Sequence, residues 1–512
     1  MNIGTTLMRN ANRIPDKLAF KFGPKTYTYK EMNEYVNRLA NGLLARGIDK
    51  GDKIGIMMKN SDLFVMAFYA IMKAGAVAVP INFRLTEREV EYILKDSDSV
   101  ALFFDVDYAD IIQKATENND KLRLLIAKDH VLENQLTFEE VYSSNKDEPD
   151  VVVSERDDAE ILYTSGTTGN PKGALFDHLR VLQVGMNVAI TFQLNAEDNL
   201  LHLAPLFHSA QLNLFLISGT YVGATQVIHE EFNPIKVLET IEKEKITFFF
   251  GIPTMYNFLL QVPNKEDYDL SSIKRYGYGA APMPTSLIEQ TIKLFNNKQI
   301  YNLCGLTEAG PGGILLHPED HEQYAGAGGR PILGTEVKVV DDDGNPIKPG
   351  EVGELLIRSD MVMKEYYKKP KETAETLRDG WLYTGDLATV NEVGIYTLVD
   401  RKKDMIITGG ENVYSTEVEH ILYRYPDVLE AAVIGVPDPT WGERVAAVVV
   451  PKEGRNIDYE DLRAFCREHL AGYKTPTIFF EEKLLPRNAS GKVLKYKLRE
   501  QALKMEPVLK HV

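Results

Sequence analysis

Apolar and polar positions alternate between a helical and a strand period along most of the chain. Thr28-Tyr-Lys-Glu31 is a capping box, in which the Thr and Glu side chains satisfy each other's backbone donors. Met32, Tyr35, Leu39 and Leu43 follow at helical spacing, and Gly47 stops that helix. Residues 53–58 read as a strand, Ser61 caps a second helix ending near Gly75, and residues 76–79 are the next strand. Thr86-Glu-Arg-Glu89 is a second capping box, before a strand at 101–104. Such alternation predicts a mostly parallel sheet covered by helices. Residues 143–158 are polar and acidic and read as a connector. The alternation then resumes with strands at 159–163, 200–204, 224–229 and 246–250, and Asn233-Pro234 opens a helix in cap and first-turn positions. There is no internal repeat, but the two halves are expected to build two similar sheets.

From about residue 318 glycines separate short pieces such as 337–340 and 354–357, which predicts a small antiparallel sheet or barrel. Past Asp400 a strand at 405–408, a helix near 416–424 and strands at 431–436 and 445–450 predict a compact C-terminal domain of about 110 residues.

Composition narrows the function. At 512 residues the chain is too long for one core. Its formal charge of −16 argues against nucleic acid or an anionic membrane as main partner. Two cysteines, Cys304 and Cys466, imply no disulfide framework and fit a reducing compartment. The N-terminus lacks the apolar core of a signal peptide. No apolar run approaches the ~18 residues needed for a membrane span. A soluble cytoplasmic protein is expected, with a homodimer left open.

Candidate chemistry begins at Tyr163-Thr-Ser-Gly-Thr-Thr-Gly-Asn-Pro-Lys-Gly-Ala174. Glycines Gly166, Gly169 and Gly173 free the backbone to aim successive N–H groups into one concavity. Ser165, Thr167 and Thr168 add hydroxyls, and Lys172 adds a positive charge, which together suit a polyphosphate. The loop is not a Walker P-loop, because Pro171 stands where the second glycine would be. Pro205-Leu-Phe-His208 follows a strand, where open α/β sheets bind ligands. Gly279-Ala280-Ala281-Pro282 is a small-residue turn. In Tyr301-Asn302-Leu-Cys-Gly-Leu-Thr307-Glu308 the carboxylate can hold Mg²⁺ and the threonine can reach a phosphate. Trp381-Leu-Tyr-Thr-Gly-Asp386 offers a carboxylate that can accept from both ribose hydroxyls. Pro486-Arg-Asn-Ala-Ser-Gly-Lys492 presents one ammonium, which can stabilise charge beside an α-phosphate.

In this order, from 163 to 492, the motifs resemble those of the adenylate-forming superfamily: acyl- and aryl-CoA synthetases, peptide-synthetase adenylation domains and firefly-type luciferases. The N-terminal third resembles it only in its pattern of sheets and helices. The resemblance implies an α/β fold, α+β in parts. A large N-terminal domain (1–400) would hold two α/β subdomains to about 317 and a β-barrel at 318–400. A mobile α+β lid would follow at 401–512, with its hinge near Lys403. It implies ATP, Mg²⁺ and CoA. By the same resemblance Thr164, residues 165–169 and Lys172 cradle phosphates, Gly279, Ala280 and Ala281 hold adenine, Asn302 is a further cofactor-binding residue, Asp386 and Arg401 hold ribose, and His208 stands at the mouth of the acyl pocket. Gly409-Gly410 would border the thiol's tunnel. Relatives commonly carry an aromatic where Cys304 stands, and often Pro where Ser415 stands, a change expected to matter little.

The implied reaction is a two-step ligation. A carboxylic acid is activated as acyl-adenylate with loss of pyrophosphate, then passed to a thiol, with catalysis by Lys492, His208, Thr307 and Glu308. Free CoA is the expected acceptor, a separate carrier protein the alternative. Amino acids are disfavoured, because Phe207-His-Ser-Ala-Gln-Leu-Asn213 has no Asp to pair an α-amino group. Gly310-Pro-Gly-Gly313, Phe250 and Ile252 suggest an apolar pocket, which fits fatty and aromatic acids alike. A luciferase-like oxygenase and a non-catalytic nucleotide binder are the competing classes.

Overall fold

The computed structural model describes residues 1–128, 135–164, 170–281, 283–487 and 493–510. By internal packing the chain divides into two units, Met1–Val337 with Ile357–Leu382, and Lys338–Leu356 with Tyr383–Val512. The expected boundary at 400/401 falls inside the second.

The first unit carries two large sheets. One is centred on Lys53–Met57, between Val77–Pro80 and Ser99–Phe104. It is parallel from Asp158–Thr164 across to Leu136–Thr137, and Lys172–Asp177 and Glu365–Tyr366 close one edge antiparallel. The other runs parallel through Ile300–Gly305, Arg275–Gly279, Phe248–Gly251, Asn199–His202 and Thr225–Ile228. The expected pair of mostly parallel, helix-covered sheets is therefore present.

The predicted helix starts hold as well. The Thr28 N–H donates to Glu31 Oε2 at 2.8 Å and the Glu31 N–H to Thr28 Oγ1 at 3.2 Å. The Thr86 N–H donates to Glu89 Oε2 at 2.8 Å. Helix Asp62–Lys73 reads Leu-Phe-Val-Met-Ala-Phe-Tyr-Ala-Ile-Met between its ends and is buried on nearly every side, as a helix apolar all round must be. Its last residue is charged, and Lys73 is buried only because it is fully paired. Its Nζ donates to Glu148 Oε2 and Asn33 Oδ1 at 2.6 Å and to Asn37 Oδ1 at 2.7 Å. Glu148 belongs to the polar connector, which this lysine pins to two helices.

The pattern of the sequence missed how the N-terminus is used. Helix Ile3–Arg13 is capped by the Asn2 side chain, which accepts from the Thr5 N–H at 3.0 Å. Strand Leu18–Phe22 then lies parallel to Thr225–Ile228, and Lys25–Thr28 pairs beside it. The first strands of the chain thus extend the second sheet, not the first.

In the second unit Ile406–Thr408, Gly442–Pro451, Ile478–Glu481 and their neighbours form a six-stranded sheet among the described residues, with helices Ser415–Leu422 and Tyr459–His469. The glycine-rich stretch does form a small sheet. Its strands Thr335–Val340, Gly353–Ser359 and Trp381–Val390 each begin in one unit and end in the other. Among the described residues no helix is long and apolar enough to cross a membrane.

Candidate functional site

In the first unit the candidate side chains lie at the ends of parallel strands. Asp158–Thr164 and Lys172–Asp177 form an antiparallel hairpin in which Thr164 faces Lys172. In sequence the candidate phosphate loop joins those two strands. Ser165, Gly166, Thr167, Thr168 and Gly169 lie outside the described residues, so the hairpin's two shoulders define the site here.

Glu308 comes from the other sheet, just past the end of Ile300–Gly305, and is buried. Its Oε1 accepts from Thr164 Oγ1 at 3.1 Å and from the Tyr366 hydroxyl at 2.8 Å. Lys172 Nζ stands 4.4 Å from the centre of the Tyr366 ring, a cation–π distance. The expected metal carboxylate and two shoulders of the expected phosphate loop thus meet around one tyrosine.

Sequence reasoning did not single out Tyr366. It arrives as the short edge strand Glu365–Tyr366, paired with Leu175 and Ala174. Flanking residues lace it down: Tyr367 to Asp98 at 3.0 Å, Lys369 to Asp96 at 2.8 Å, and Lys364 to Asp158. The one local signal was the run of charged and aromatic residues from Lys364 to Lys369. Its partner strand lies about 190 positions earlier, beyond any local pattern.

Thr307 is tied to the His208 segment, with Ser209 Oγ and Thr307 Oγ1 3.2 Å apart. His208 Nδ1 accepts from the Ala210 N–H at 3.3 Å, and burial lowers the imidazole's pKa, so His208 is neutral at pH 7. Two residues on begins Ala210–Leu216, a stretch wound wider than an α-helix, a form frequent at functional sites.

Gly279 ends its strand where a Cβ would lie 2.4 Å from the Leu303 carbonyl oxygen, so only glycine fits. Ala280 follows at φ +65°, a backbone conformation costly for a side chain, and Ala280 and Ala281 are exposed. Pro282 lies outside the described residues. Asn302 donates to the Ala327 carbonyl at 2.8 Å, which anchors the strand edge. Cys304 lines a narrow cleft together with Pro311, Gly312 and Gly313. Phe250 and Ile252 do not line this cleft.

In the second unit Asp386 and Arg401 face each other across paired strands, with Arg401 Nε 2.6 Å from Asp386 Oδ1. Arg401 also opens a tight turn, its carbonyl accepting from the Asp404 N–H at 2.9 Å. Lys403 sits exposed inside that turn, and Arg499 clasps Asp404 at 2.8 Å. Gly409 has φ +59°, and a Cβ there would lie 2.9 Å from the Trp441 ring, whereas Gly410 at φ +84° faces open space. Ser415 is fully buried. Its N–H and hydroxyl both donate to Asp400, at 2.5 and 2.7 Å, bonds that a proline could not make. Lys492 lies outside the described residues.

One buried acid beside the site has no part in the expected chemistry. Glu160, on the strand leading into the candidate phosphate loop, accepts from Asn213 Nδ2 at 2.6 Å, while Glu160 Oε2 and Asn213 Oδ1 have no hydrogen-bond partner among the described residues. Burial pushes the Glu160 carboxyl up to about 7 from 4.5. Between those values the unfolded chain has already lost the proton that the folded protein keeps, so stability falls as pH rises from about 4.5 to about 7. Glu160→Gln should remove that slope. The variant should match the parent near pH 4 and exceed it by up to about 3 kcal/mol above pH 7. Melting curves of both proteins across this range check it, and parallel curves would show that Glu160 is ionised throughout.

Comparison with known proteins gives matches along most of the chain. The family model for AMP-binding enzymes matches residues 7–367, and that for their C-terminal domain matches residues 417–492. A feruloyl-CoA synthase of Amycolatopsis is 38% identical over 98% of this chain and 99% of its own. A long-chain-fatty-acid–CoA ligase, FadD13, of Mycobacterium tuberculosis is likewise 38% identical, over 98% of each chain. The structure of the anthranilate CoA ligase AuaEII in complex with anthranoyl-AMP superposes with a TM-score of 0.91 at 29% identity, over 98% of each chain.

Proposed function

Because the chain belongs to the AMP-binding enzyme family and is an AMP-forming acyl-CoA synthetase, we propose specific roles for its residues. A carboxylate oxygen of the acid attacks the α-phosphorus of ATP, and pyrophosphate leaves. The thiol sulfur of CoA then attacks the acyl carbon, the thiol proton is lost, and AMP leaves. No protein nucleophile is needed. The chain's work is to position the reactants and to neutralise charge.

The observation that carries this reading is the meeting of Glu308, Thr164, Lys172 and Tyr366. A buried carboxylate with hydroxyls on one oxygen is a hard donor, suited to Mg²⁺ held by one protein carboxylate plus substrate oxygens. Bound there, Mg²⁺ would neutralise charge on the phosphate oxygens. Tyr366 fixes the rotamer of Glu308 and holds Lys172 at the loop's shoulder. Thr307 and residues 164–169 bind phosphate. Gly279, Ala280, Ala281 and Asn302 form the adenine wall, and Asp386 and Arg401 the ribose clamp. Neutral His208 guards the acyl entrance. Lys492 bridges the attacking carboxylate and the α-phosphate. Its two cysteines, neither in a disulfide, suit a reducing cytoplasm. Pyrophosphate release across a panel of fatty and aromatic acids, with and without CoA, tests the reading. Release with none of them would overturn it.

The hinge belongs to the same proposal. Lys492 serves the first step, and Gly409-Gly410 line the thiol's route in the second. A rotation about the turn at Lys403 would present each in its turn, and hinges absorb such motion in a few φ/ψ angles. Proline fixes φ near −65°. Lys403→Pro should therefore keep substantial acid-dependent ATP–pyrophosphate exchange but lose most thioester formation. Equal loss of both with a lowered melting point would indicate misfolding, and retention of both would place the hinge elsewhere.

A further inference from the structure

The two hydroxyls on Glu308 are themselves tethered, through their neighbours in the chain, to one carboxylate. Asp96 is the last residue of helix Glu87–Asp96, and its side chain is largely buried. Its Oδ2 accepts from the Tyr163 hydroxyl at 2.8 Å, and Tyr163 directly precedes Thr164. Its Oδ1 accepts from Lys369 Nζ at 2.8 Å, three residues past Tyr366, and from the Tyr92 hydroxyl at 3.4 Å. The Asp96 carbonyl accepts from Lys368 Nζ at 3.3 Å. One residue thus holds the strand before one donor and the segment after the other.

Helix stability does not call for an acid at this position. A helix C-terminus carries partial negative charge and favours cations. Asp96 stands against that field, and Asp98, two residues on, has φ +56°, a conformation uncommon outside glycine. The contacts across the turn account for both residues. The segment they hold is drawn close to the site. The Tyr367 N–H donates to the Gly173 carbonyl and the Met363 N–H to the Glu308 carbonyl, each at 2.8 Å. A Cβ at Gly173 would lie 3.0 Å from the Tyr163 ring, so that ring packs against the strand opposite. A shift of Tyr163 or of residues 364–369 therefore moves Thr164 or Tyr366 relative to Glu308.

We propose that Asp96 is a positioning residue for the Glu308 site: by tying Tyr163 to Lys369 it sets the separation of the Thr164 and Tyr366 hydroxyls, and with it the orientation of the Glu308 carboxylate toward MgATP. This rests on the acid-activating reading above. With Oε1 held by two fixed donors the carboxylate keeps one orientation, and a group set in advance needs no reordering when the ligand arrives.

The test measures the Kd of MgATP without acid, the Mg²⁺ midpoint of pyrophosphate release, and kcat. Tyr163→Phe and Lys369→Met each delete one bond to Asp96, the first without changing any charge. Each should raise the Kd and the Mg²⁺ midpoint about three- to tenfold and lower kcat about tenfold, and Lys369→Arg should stay near the parent. Asp96→Ala should lose at least as much, although it takes an unfavourable charge off its helix. Should Asp96→Ala fail to fold, the two partner variants still decide. Lys121→Met cuts only an exposed ion pair to Asp98 on the same turn and should match the parent. In a Tyr366→Phe background Lys369→Met should cost about twofold or less in kcat, because the hydroxyl it positions is gone. Parent values in Tyr163→Phe and Lys369→Met, even with a lowered melting temperature, would overturn the proposal. So would an equal shift in Lys121→Met, or full additivity with Tyr366→Phe. Those outcomes leave the acid-activating reading standing, whereas a parent that releases no pyrophosphate with any acid would sink both.

Discussion

Lys492→Ala should all but abolish acyl-adenylate formation while leaving the transfer of a supplied acyl-adenylate to CoA nearly intact. During the first step negative charge gathers on the oxygens around the α-phosphorus as the carboxylate approaches. A single positioned ammonium is worth more there than in water, because the site excludes solvent. Removing one such contact costs about 10²–10³ in rate. In the second step the bond broken is between the acyl carbon and AMP, and this ammonium has no comparable charge to meet. Two assays on one variant therefore separate the steps: acid-dependent ATP–pyrophosphate exchange, and thioester formation from synthetic acyl-adenylate. Near-normal turnover from ATP and acid would remove Lys492 from the chemistry.

Glu308→Gln should lower the rate of pyrophosphate release by about 10²–10³ and move its Mg²⁺ dependence to higher concentration. The amide oxygen of Gln can still accept from Thr164 and Tyr366, so the knot's shape is kept while one charge is lost. Tyr366→Phe is the complementary change. It keeps the carboxylate and the ring under Lys172 but removes one hydrogen bond to a charged group, worth about 1.5–3 kcal/mol. Its loss should therefore be roughly 10- to 150-fold, with the Mg²⁺ midpoint moved less. A Mg²⁺ dependence unchanged in Glu308→Gln would show that another group holds the ion.

Most of the framework was legible before the structure because its signals are local. Thr28-Glu31 and Thr86-Glu89 announce helix starts within four residues, and the strands alternating with those helices foretell a parallel sheet. Glu308 and Asp386 stood out because each is embedded in a run of residues that agree in chemistry. What stayed hidden was non-local. Tyr366 matters through a strand far earlier in the chain, and Glu160 looks like one more polar residue until burial is known. Ser415 was expected to matter little, yet it is a buried partner of Asp400, a contact fifteen residues long.

The placement of strand Leu18–Phe22 beside Thr225–Ile228 sets a schedule for synthesis on the ribosome. At roughly 5–20 residues per second, some ten to forty seconds separate the two strands as they emerge. Throughout that interval the edge of Leu18–Phe22 and the apolar face of helix Ile3–Arg13 wait without their sheet. The nascent chain is therefore most exposed to chaperones and to aggregation before residue 228 is made. A charged residue on the waiting strand, Lys21, is the kind that discourages strands from pairing with the wrong partner meanwhile.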